Sequence, residues 1–410
     1  MIPSVCVDEA LRMVIDALPH TPWEIVPIEE SYGRILAEDC IAEENIPPFT
    51  NSAMDGYAVR TEDIAEAGAG VTLKVAGELK AAPMSDMPVA AAGTAVRIMT
   101  GAALPDGADA VVPIEDTEED ADSGTVKILR SVKKHDNVRF AGEDIRAGER
   151  ILACGTRIGS AEAGILASLN MTRIKVYRSP RVAIISTGDE IVEVGEPAER
   201  GQIRNSNAFT LRGEVEKYGG IAEYLGIVSD SRQAMADIFE RALRADMVIS
   251  TGGVSMGRYD LVKDILAECG VSIQFESVKM KPGKPTVFGR KGRVPVFSLP
   301  GNPVSCMVAF ILFVRPALLK LAGAVRLRKP EVKALLEDDI IKKPGRREFV
   351  RGTFRIHDGV IHVAKTGAQG SGILSSMHRA NCLIVLPEES HGARHGDAVT
   401  IQLIDHEEID

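Results

Sequence analysis

The sequence predicts an α/β plus β protein of several domains, built around a doubly wound α/β domain with a mostly parallel sheet. Three observations predict it. Residues 179–327 alternate short apolar runs with helical patterns, the order that makes a parallel sheet with helices on both faces. Two of those runs end in glycine turns that lead into helices, Thr251-Gly252-Gly253-Val254-Ser255-Met256-Gly257 and Pro300-Gly301-Asn302-Pro303. The segments 46–144 and 328–410 instead carry short β-like runs separated by turn residues, as small β modules do.

Taken in order, residues 7–18 have helical periodicity with Asp8 in the first turn. Short runs at 23–27 and 35–37 flank a Ser31-Tyr32-Gly33-Arg34 turn, and Ile46-Pro47-Pro48-Phe49 breaks the pattern at a domain junction. The block 46–144 then reads as an inserted, all-β module with strands at 71–76, 95–99, 110–114 and 126–129. It holds 9 Lys/Arg against 17 Asp/Glu, a net charge of −8 out of −10 for the whole chain. Its acidic run 115–122 reads as a solvated loop. Residues 145–178 return to helix at 160–169 and, with 1–45, make an elongated N-terminal domain. In 179–327, apolar runs at 247–250, 271–275 and 294–299 read as buried parallel strands, and 304–321 as an apolar helix. Residues 328–410 complete the chain as a C-terminal β-barrel or sandwich.

Composition narrows the function. Aromatic residues make up 4% of the 410 residues and the chain is acidic, which argues against stacking on nucleic acid or attraction to anionic membrane. The six cysteines are scattered without metal-ligand spacing, as reduced thiols are. No signal sequence is seen and no uninterrupted apolar run reaches transmembrane length, so a cytoplasmic protein is expected. His391 and His395 have the spacing of a metal pair but lie in a glycine-flanked loop without a third ligand, so no zinc is expected.

The chemistry gathers at turns. A glycine turn between strand and helix presents backbone N–H groups and a positive dipole end to a phosphate or other oxyanion. Between the two turns runs Lys279-Met280-Lys281-Pro282-Gly283-Lys284-Pro285, three cations in a segment that its prolines keep extended. Ser186-Thr187-Gly188-Asp189-Glu190 puts two carboxylates at a strand end. Asp230 follows another strand and Asp260 follows Gly257 by three. These acids are expected on the sheet edge that holds the glycine turns and the lysines. Carboxylates beside a phosphate cradle suggest Mg²⁺, which takes carboxylate, water and phosphate oxygens. Asp55 lies in Asn51-Ser52-Ala53-Met54-Asp55-Gly56-Tyr57-Ala58 and Asp144 in Gly142-Glu143-Asp144, both turns at module junctions. Gln369-Gly370-Ser371-Gly372 is a polar turn whose Ser371 can donate to an anion.

Together these segments resemble the molybdopterin molybdenumtransferase (molybdenum insertase) family of molybdenum cofactor biosynthesis, whose fold also forms the C-terminal domain of gephyrin. The matching stretches are 51–58, 97–113, 142–144, 186–190, 201–207, 250–260, 279–285, 299–305 and 369–372, in the family's order over essentially the whole chain. One departure is Ser298, where the family often has Gly. The resemblance implies a homodimer with the cleft between subunits. It implies insertion of molybdenum from molybdate into adenylylated molybdopterin, with AMP released and Mg²⁺ assisting. A molybdopterin adenylyltransferase would supply the substrate. It further implies Asp55, Asp144, Glu190, Asp230 and Asp260 as catalytic carboxylates, with Glu190 and Asp260 as metal ligands. Thr100, Thr187, Gly188, Asp189, Gly252, Gly253, Ser255, Lys279, Lys281, Lys284, Pro300, Asn302 and Ser371 are the implied substrate-binding residues. The alternatives are a molybdopterin-binding scaffold without insertase activity, and an adenylyltransferase built on the α/β domain alone.

Overall fold

The computed structural model of the protein describes residues 4–67, 70–83, 86–252 and 261–404. Gly253, Ser255 and Asp260, expected in the site, lie outside the described residues. The chain separates into two compact units. Met1–Ala37, Gly155–Gly159 and Ile174–Asp410 form the first; Glu38–Cys154 and Ser160–Arg173 form the second.

The first unit contains a six-stranded sheet in the order Ile221–Val228, Arg181–Thr187, Met247–Thr251, Val294–Leu299, Val287–Lys291, Ser272–Phe275. The first four strands are parallel. Their apolar runs are continuous because both faces are covered. Val182 and Ile184 pack with Leu211 and Val215 of helix Ser206–Lys217 and with the helix Pro303–Leu321. Ala183 and Ile185 point the other way, onto Met235 and Phe239 of Arg232–Ala242 and Val262 and Ile265 of Leu261–Glu268. That is the period-two alternation of a strand buried on both sides.

The expectation of three parallel strands fails for 271–275. Ser272–Phe275 is an edge strand antiparallel to Val287–Lys291, which is itself antiparallel to Val294–Leu299. The cause is a two-residue hairpin, Gly292-Arg293, which turns the chain back where a crossover was expected. Ser298 fits inside its strand, fully buried, with Oγ bonded to Ser250 Oγ at 2.8 Å.

The helix Pro303–Leu321 has 19 residues, long and apolar enough by composition to cross a membrane, yet 89% of its most apolar window is buried inside the protein. It is a core helix of this fold. Phe310–Val314 is wound as a π segment just before Pro316. Proline has no N–H to return to the preceding turn, and a widened turn is a common accommodation.

Residues from Glu331 onward close a five-stranded barrel. Arg347–His357 pairs with both Val360–Lys365 and Cys382–Leu386, and the ring is completed through Glu331–Leu336 and Ala398–Leu403. Met280–Lys281 adds to it as an outer strand parallel to Arg347–His357.

The second unit carries its own six-stranded sheet, in the order Ala110–Pro113, Gly56–Val59, Thr94–Ile98, Thr72–Leu79, Thr125–Ile128, Thr117–Asp120. It is not purely β, since helix Thr61–Ala67 packs Ile64 into its core. The acidic run expected as a loop is instead an exposed edge strand, Thr117–Asp120, paired with Thr125–Ile128. Charged side chains on an edge strand discourage pairing with another chain, so the acid content and the strand are compatible.

Candidate functional site

Strand Arg181–Thr187 is followed by Ile221–Val228 on one side and by Met247–Thr251 on the other. Open α/β sheets bind ligands at the carboxyl ends of strands where the order reverses in this way. A cleft of about 550 Å³ opens there, and Thr187, Thr251 and Gly252 are in its wall. Two helices, Ser206–Lys217 and Pro303–Leu321, begin at it through Asn205-Ser206 and Asn302-Pro303. Helix N-termini carry unpaired N–H groups and positive potential, which favours an anion.

The strand ends are packed too closely for side chains at two positions. A Cβ on Gly252 would lie 2.2 Å from the carbonyl oxygen of Thr187. Gly188 has φ +130°, and a Cβ there would meet the Glu190 carboxylate at 2.5 Å, so Glu190 folds back over the turn. Glu190 is exposed and lines the cleft. Asp189 braces the rim: its Oδ1 accepts the backbone N–H of Asp230 at 3.2 Å, tying together the ends of two neighbouring strands. Burial, and then the charges of Asp189 and Glu190, push the Asp230 carboxyl above its ordinary value.

Below this rim the wall is polar and buried. Asn205 caps the helix by accepting Ala208 N–H at 3.3 Å, accepts Ser186 Oγ at 3.1 Å and donates to Tyr224 Oη at 2.7 Å. Asn207 donates from Nδ2 to Thr251 Oγ1 and to the Gly301 carbonyl, both at 2.8 Å.

A second cleft of about 420 Å³ shares Pro285, Pro300 and Asn302 with the first. It lies between the 280–285 segment and the barrel, with Gln369, Gly370 and Ser371 on its far side. Here the lysines depart from expectation. They are not on the sheet edge with the carboxylates, because Met280–Lys281 joins the barrel. Lys279 is exposed outside both clefts' walls, while Lys281 and Lys284 line the second. Lys281 Nζ lies 3.3 Å from both carboxylate oxygens of Glu348, which is 7% exposed. Ser371 is tied to the helix start through its carbonyl, which accepts Val304 N–H at 3.1 Å.

Sequence reasoning missed Arg351, whose side chain is 1% exposed. Its Nε donates to Ser376 Oγ at 3.1 Å and its Nη2 to the Gly370 carbonyl at 3.0 Å. Both partners are neutral, and burial holds the guanidinium below its ordinary value. The signal was an arginine inside an otherwise apolar run, Phe349-Val350-Arg351. With Lys281, Lys284 and the exposed Arg346, it gives this cleft four cations against the one carboxylate of Glu348.

In the second unit, Asp55 precedes strand Gly56–Val59 and Thr100 follows the neighbouring strand Thr94–Ile98. Thr100 contacts Asp55 directly, so within this unit it is a partner of that carboxylate. Asp144 is exposed, and its backbone N–H donates to the Ile46 carbonyl at the junction.

Known proteins match this chain over nearly its whole length. Residues 5–170 match the MoeA N-terminal region (domain I and II), residues 183–320 a probable molybdopterin binding domain, and residues 333–404 the MoeA C-terminal region (domain IV). A molybdopterin molybdenumtransferase of Haemophilus influenzae is 38% identical over 405 residues, 97% of this chain and 98% of the relative. One of Bacillus subtilis is 35% identical over 406 residues, 98% and 94% of the two chains. The solved molybdopterin biosynthesis moeA protein of Pyrococcus horikoshii superposes with a TM-score of 0.83 at 34% identity, covering 98% of this chain and 100% of that one. By descent and by fold, this chain belongs to the molybdopterin molybdenumtransferase family.

Proposed function

We propose that the protein is a molybdopterin molybdenumtransferase, inserting molybdenum from molybdate into adenylylated molybdopterin and releasing AMP in molybdenum cofactor biosynthesis. The observation that carries this reading is the continuity of the two clefts through Pro285, Pro300 and Asn302. One has helix N-termini, a glycine turn and rim carboxylates, and suits the pterin and its pyrophosphate. The other gathers four cations in a chain of net charge −10, and suits a small oxyanion such as molybdate.

In this reading Arg351, Lys284 and Ser371 hold molybdate, with Lys281 shared between the anion and Glu348. Thr187, Gly188, Gly252, Pro300 and Asn302 shape the first cleft, Asp189 braces the Asp230 loop, and Lys279 draws anions from outside. Release of AMP leaves charge on phosphate oxygens, which the cations and helix ends stabilise. Asp55 and Asp144, with Glu190, Asp230 and Asp260, orient water and substrate, and Gly253 and Ser255 are further substrate-binding residues.

Among the described residues no three His, Cys, Asp or Glu stand close enough to cage a metal. The exposed Glu190 carboxylate on the cleft wall is a donor of the kind Mg²⁺ takes, since Mg²⁺ keeps several waters and needs only one or two carboxylates beside phosphate. Glu190, with Asp260, would hold it, and it would neutralise charge on the phosphate oxygens. The reading further includes four domains (1–45 with 145–178, 46–144, 179–327 and 328–410), a homodimer with a shared cleft and a cytoplasmic setting. It also includes supply of substrate by a molybdopterin adenylyltransferase.

The test mixes protein, adenylylated molybdopterin, molybdate and Mg²⁺ and measures AMP and active cofactor. Release of both is expected, falling on the order of 10²-fold in Glu190→Gln and Asp260→Asn without loss of fold. Tight binding of molybdopterin with no AMP release would make the protein a carrier instead.

A further inference from the structure

The buried polar side chains of the first cleft are almost all satisfied from within. Ser186 donates to Asn205, Asn205 to Tyr224, Thr187 to the Thr251 carbonyl at 3.4 Å and Thr251 to the Pro300 carbonyl at 3.3 Å. Asn207 is the exception. The residue is 8% exposed and lines the cleft, and among the described residues its Oδ1 is buried without a hydrogen-bond partner. The orientation of the amide is not free. The Gly301 carbonyl can only accept, so the amide nitrogen must face it, and the second N–H is spent on Thr251. The acceptor end is therefore fixed by its neighbours. A buried acceptor left unmade costs folding free energy, and a ligand that donates to it recovers that cost on binding.

Its surroundings decide what can donate. Gly301, and Gly252 next to Thr251, border the same cleft without side chains, which leaves room for a flat group. Ile191, Ile203 and Pro285 supply apolar wall. A planar heterocycle with N–H groups along one edge matches an apolar slot with one demanding acceptor. A pterin has such an edge, with its 2-amino group beside the ring N3–H. We infer that Asn207 Oδ1 accepts a hydrogen bond from this edge of the pterin and selects the substrate by it. The inference rests on the reading of the first cleft as the pterin site. It makes Asn207 a specificity residue, since the contact lies at the edge of the heterocycle and not at the bonds that react.

The same contact explains why discrimination should be sharp. A site built to take a donor rejects an analogue without one more strongly than an apolar pocket rejects a change of size, because its acceptor is left unpaired.

A cycle across protein and ligand tests this, since structural effects of the substitution cancel in it. Dissociation constants are measured by calorimetry or NMR for pterin and for 2-dimethylamino-3-methylpterin, which lacks the donors of that edge. Wild type is expected to prefer pterin by about tenfold, and Asn207→Ala to show no preference. Asn207→Asp, which keeps an oxygen at the position, should retain the preference while losing thermal stability. If Asn207→Ala does not fold, Asn207→Leu, closer in volume, takes its place. Equal preference in wild type and Asn207→Ala, or none in wild type, overturns the inference. Absence of pterin binding to wild type also overturns it. AMP release by the same wild-type preparation then shows separately whether the proposed reaction still stands.

Discussion

Thr100 grips one oxygen of Asp55 twice: its backbone N–H and its hydroxyl both donate to Oδ1, each at 2.7 Å. The backbone bond, then the hydroxyl bond, hold the Asp55 carboxyl below its ordinary value. An exposed carboxylate is thereby kept ionised and oriented, with Oδ2 left for another partner.

Thr100→Val keeps the N–H and removes the hydroxyl. The Asp55 pKa should rise part of the way back, read by carbon NMR of the carboxyl. The sign for stability follows. A depressed carboxyl stabilises the fold above its unfolded pKa, and that contribution fades as pH falls through the folded value. The difference in stability between wild type and Thr100→Val should therefore close in acid. An unmoved Asp55 titration would mean the hydroxyl bond does not matter.

The two lysines of the second cleft should behave differently. Among the described residues Lys284 makes no ion pair, whereas Lys281 is engaged by Glu348. Lys284→Ala should raise the molybdate dissociation constant about tenfold with little change in melting temperature. Lys281→Ala should weaken molybdate binding by less than that but melt a few degrees lower, because it strands a buried carboxylate. Arg351→Lys keeps the charge and loses the fork that reaches Ser376 and Gly370, so binding should again fall about tenfold. Unchanged calorimetric binding in all three would remove this cleft from anion recognition.

Asp230 offers a pH test. A carboxyl raised in the folded state favours the protonated native protein, so stability is lost as pH rises through the folded pKa. Asp230→Asn should not show that loss. Glu190→Gln should bring the Asp230 pKa down, and so should saturating Mg²⁺ if it binds beside them. A titration indifferent to both would show that these charges do not act on one another.

The proposed sharing of the cleft between subunits predicts complementation. Asp55→Ala dimers and Asp260→Ala dimers should each be nearly inactive. Mixed dimers should recover roughly one working site of two, because one cleft then has both residues intact. No recovery after verified subunit exchange would assign both carboxylates to a single subunit.

The parallel sheet and its glycine turns were legible because their signals are local: apolar runs of strand length, then residues that only a tight turn requires. What escaped depended on partners far along the chain. Lys281 reads as a free cation until strand pairing sets it beside Glu348, sixty-seven positions on. Thr100, implied by the resemblance as a substrate-binding residue, gives no sign in the sequence of its bond to Asp55, which the sheet register creates. Arg351 is hidden in a run whose other members are buried and apolar, Val350 inside the barrel and Phe349 against the core of the parallel-sheet domain. The 271–275 strand keeps the expected direction but not the expected partner, because the hairpin downstream folds Val287–Lys291 in between it and Val294–Leu299 as an antiparallel neighbour of both.

The first unit is assembled from chain segments that emerge from the ribosome far apart in time. Trp23–Pro27 pairs with Arg173–Tyr177, Val5 bridges to Val278, and Asp8 holds Arg347 at 2.8 Å. Between them Glu38–Cys154 and Ser160–Arg173 make a compact unit of their own. During synthesis that unit is complete while the first 37 residues still lack every one of those partners. The N-terminal helix Val7–Asp16, with Val7, Ala10 and Val14 on its buried face, leaves that face unpaired until the core helix Pro303–Leu321, with which those residues share a core, has been made. Its docking therefore waits on most of the chain, and a nascent chain stalled before Pro303 leaves that face open to chaperones or to aggregation.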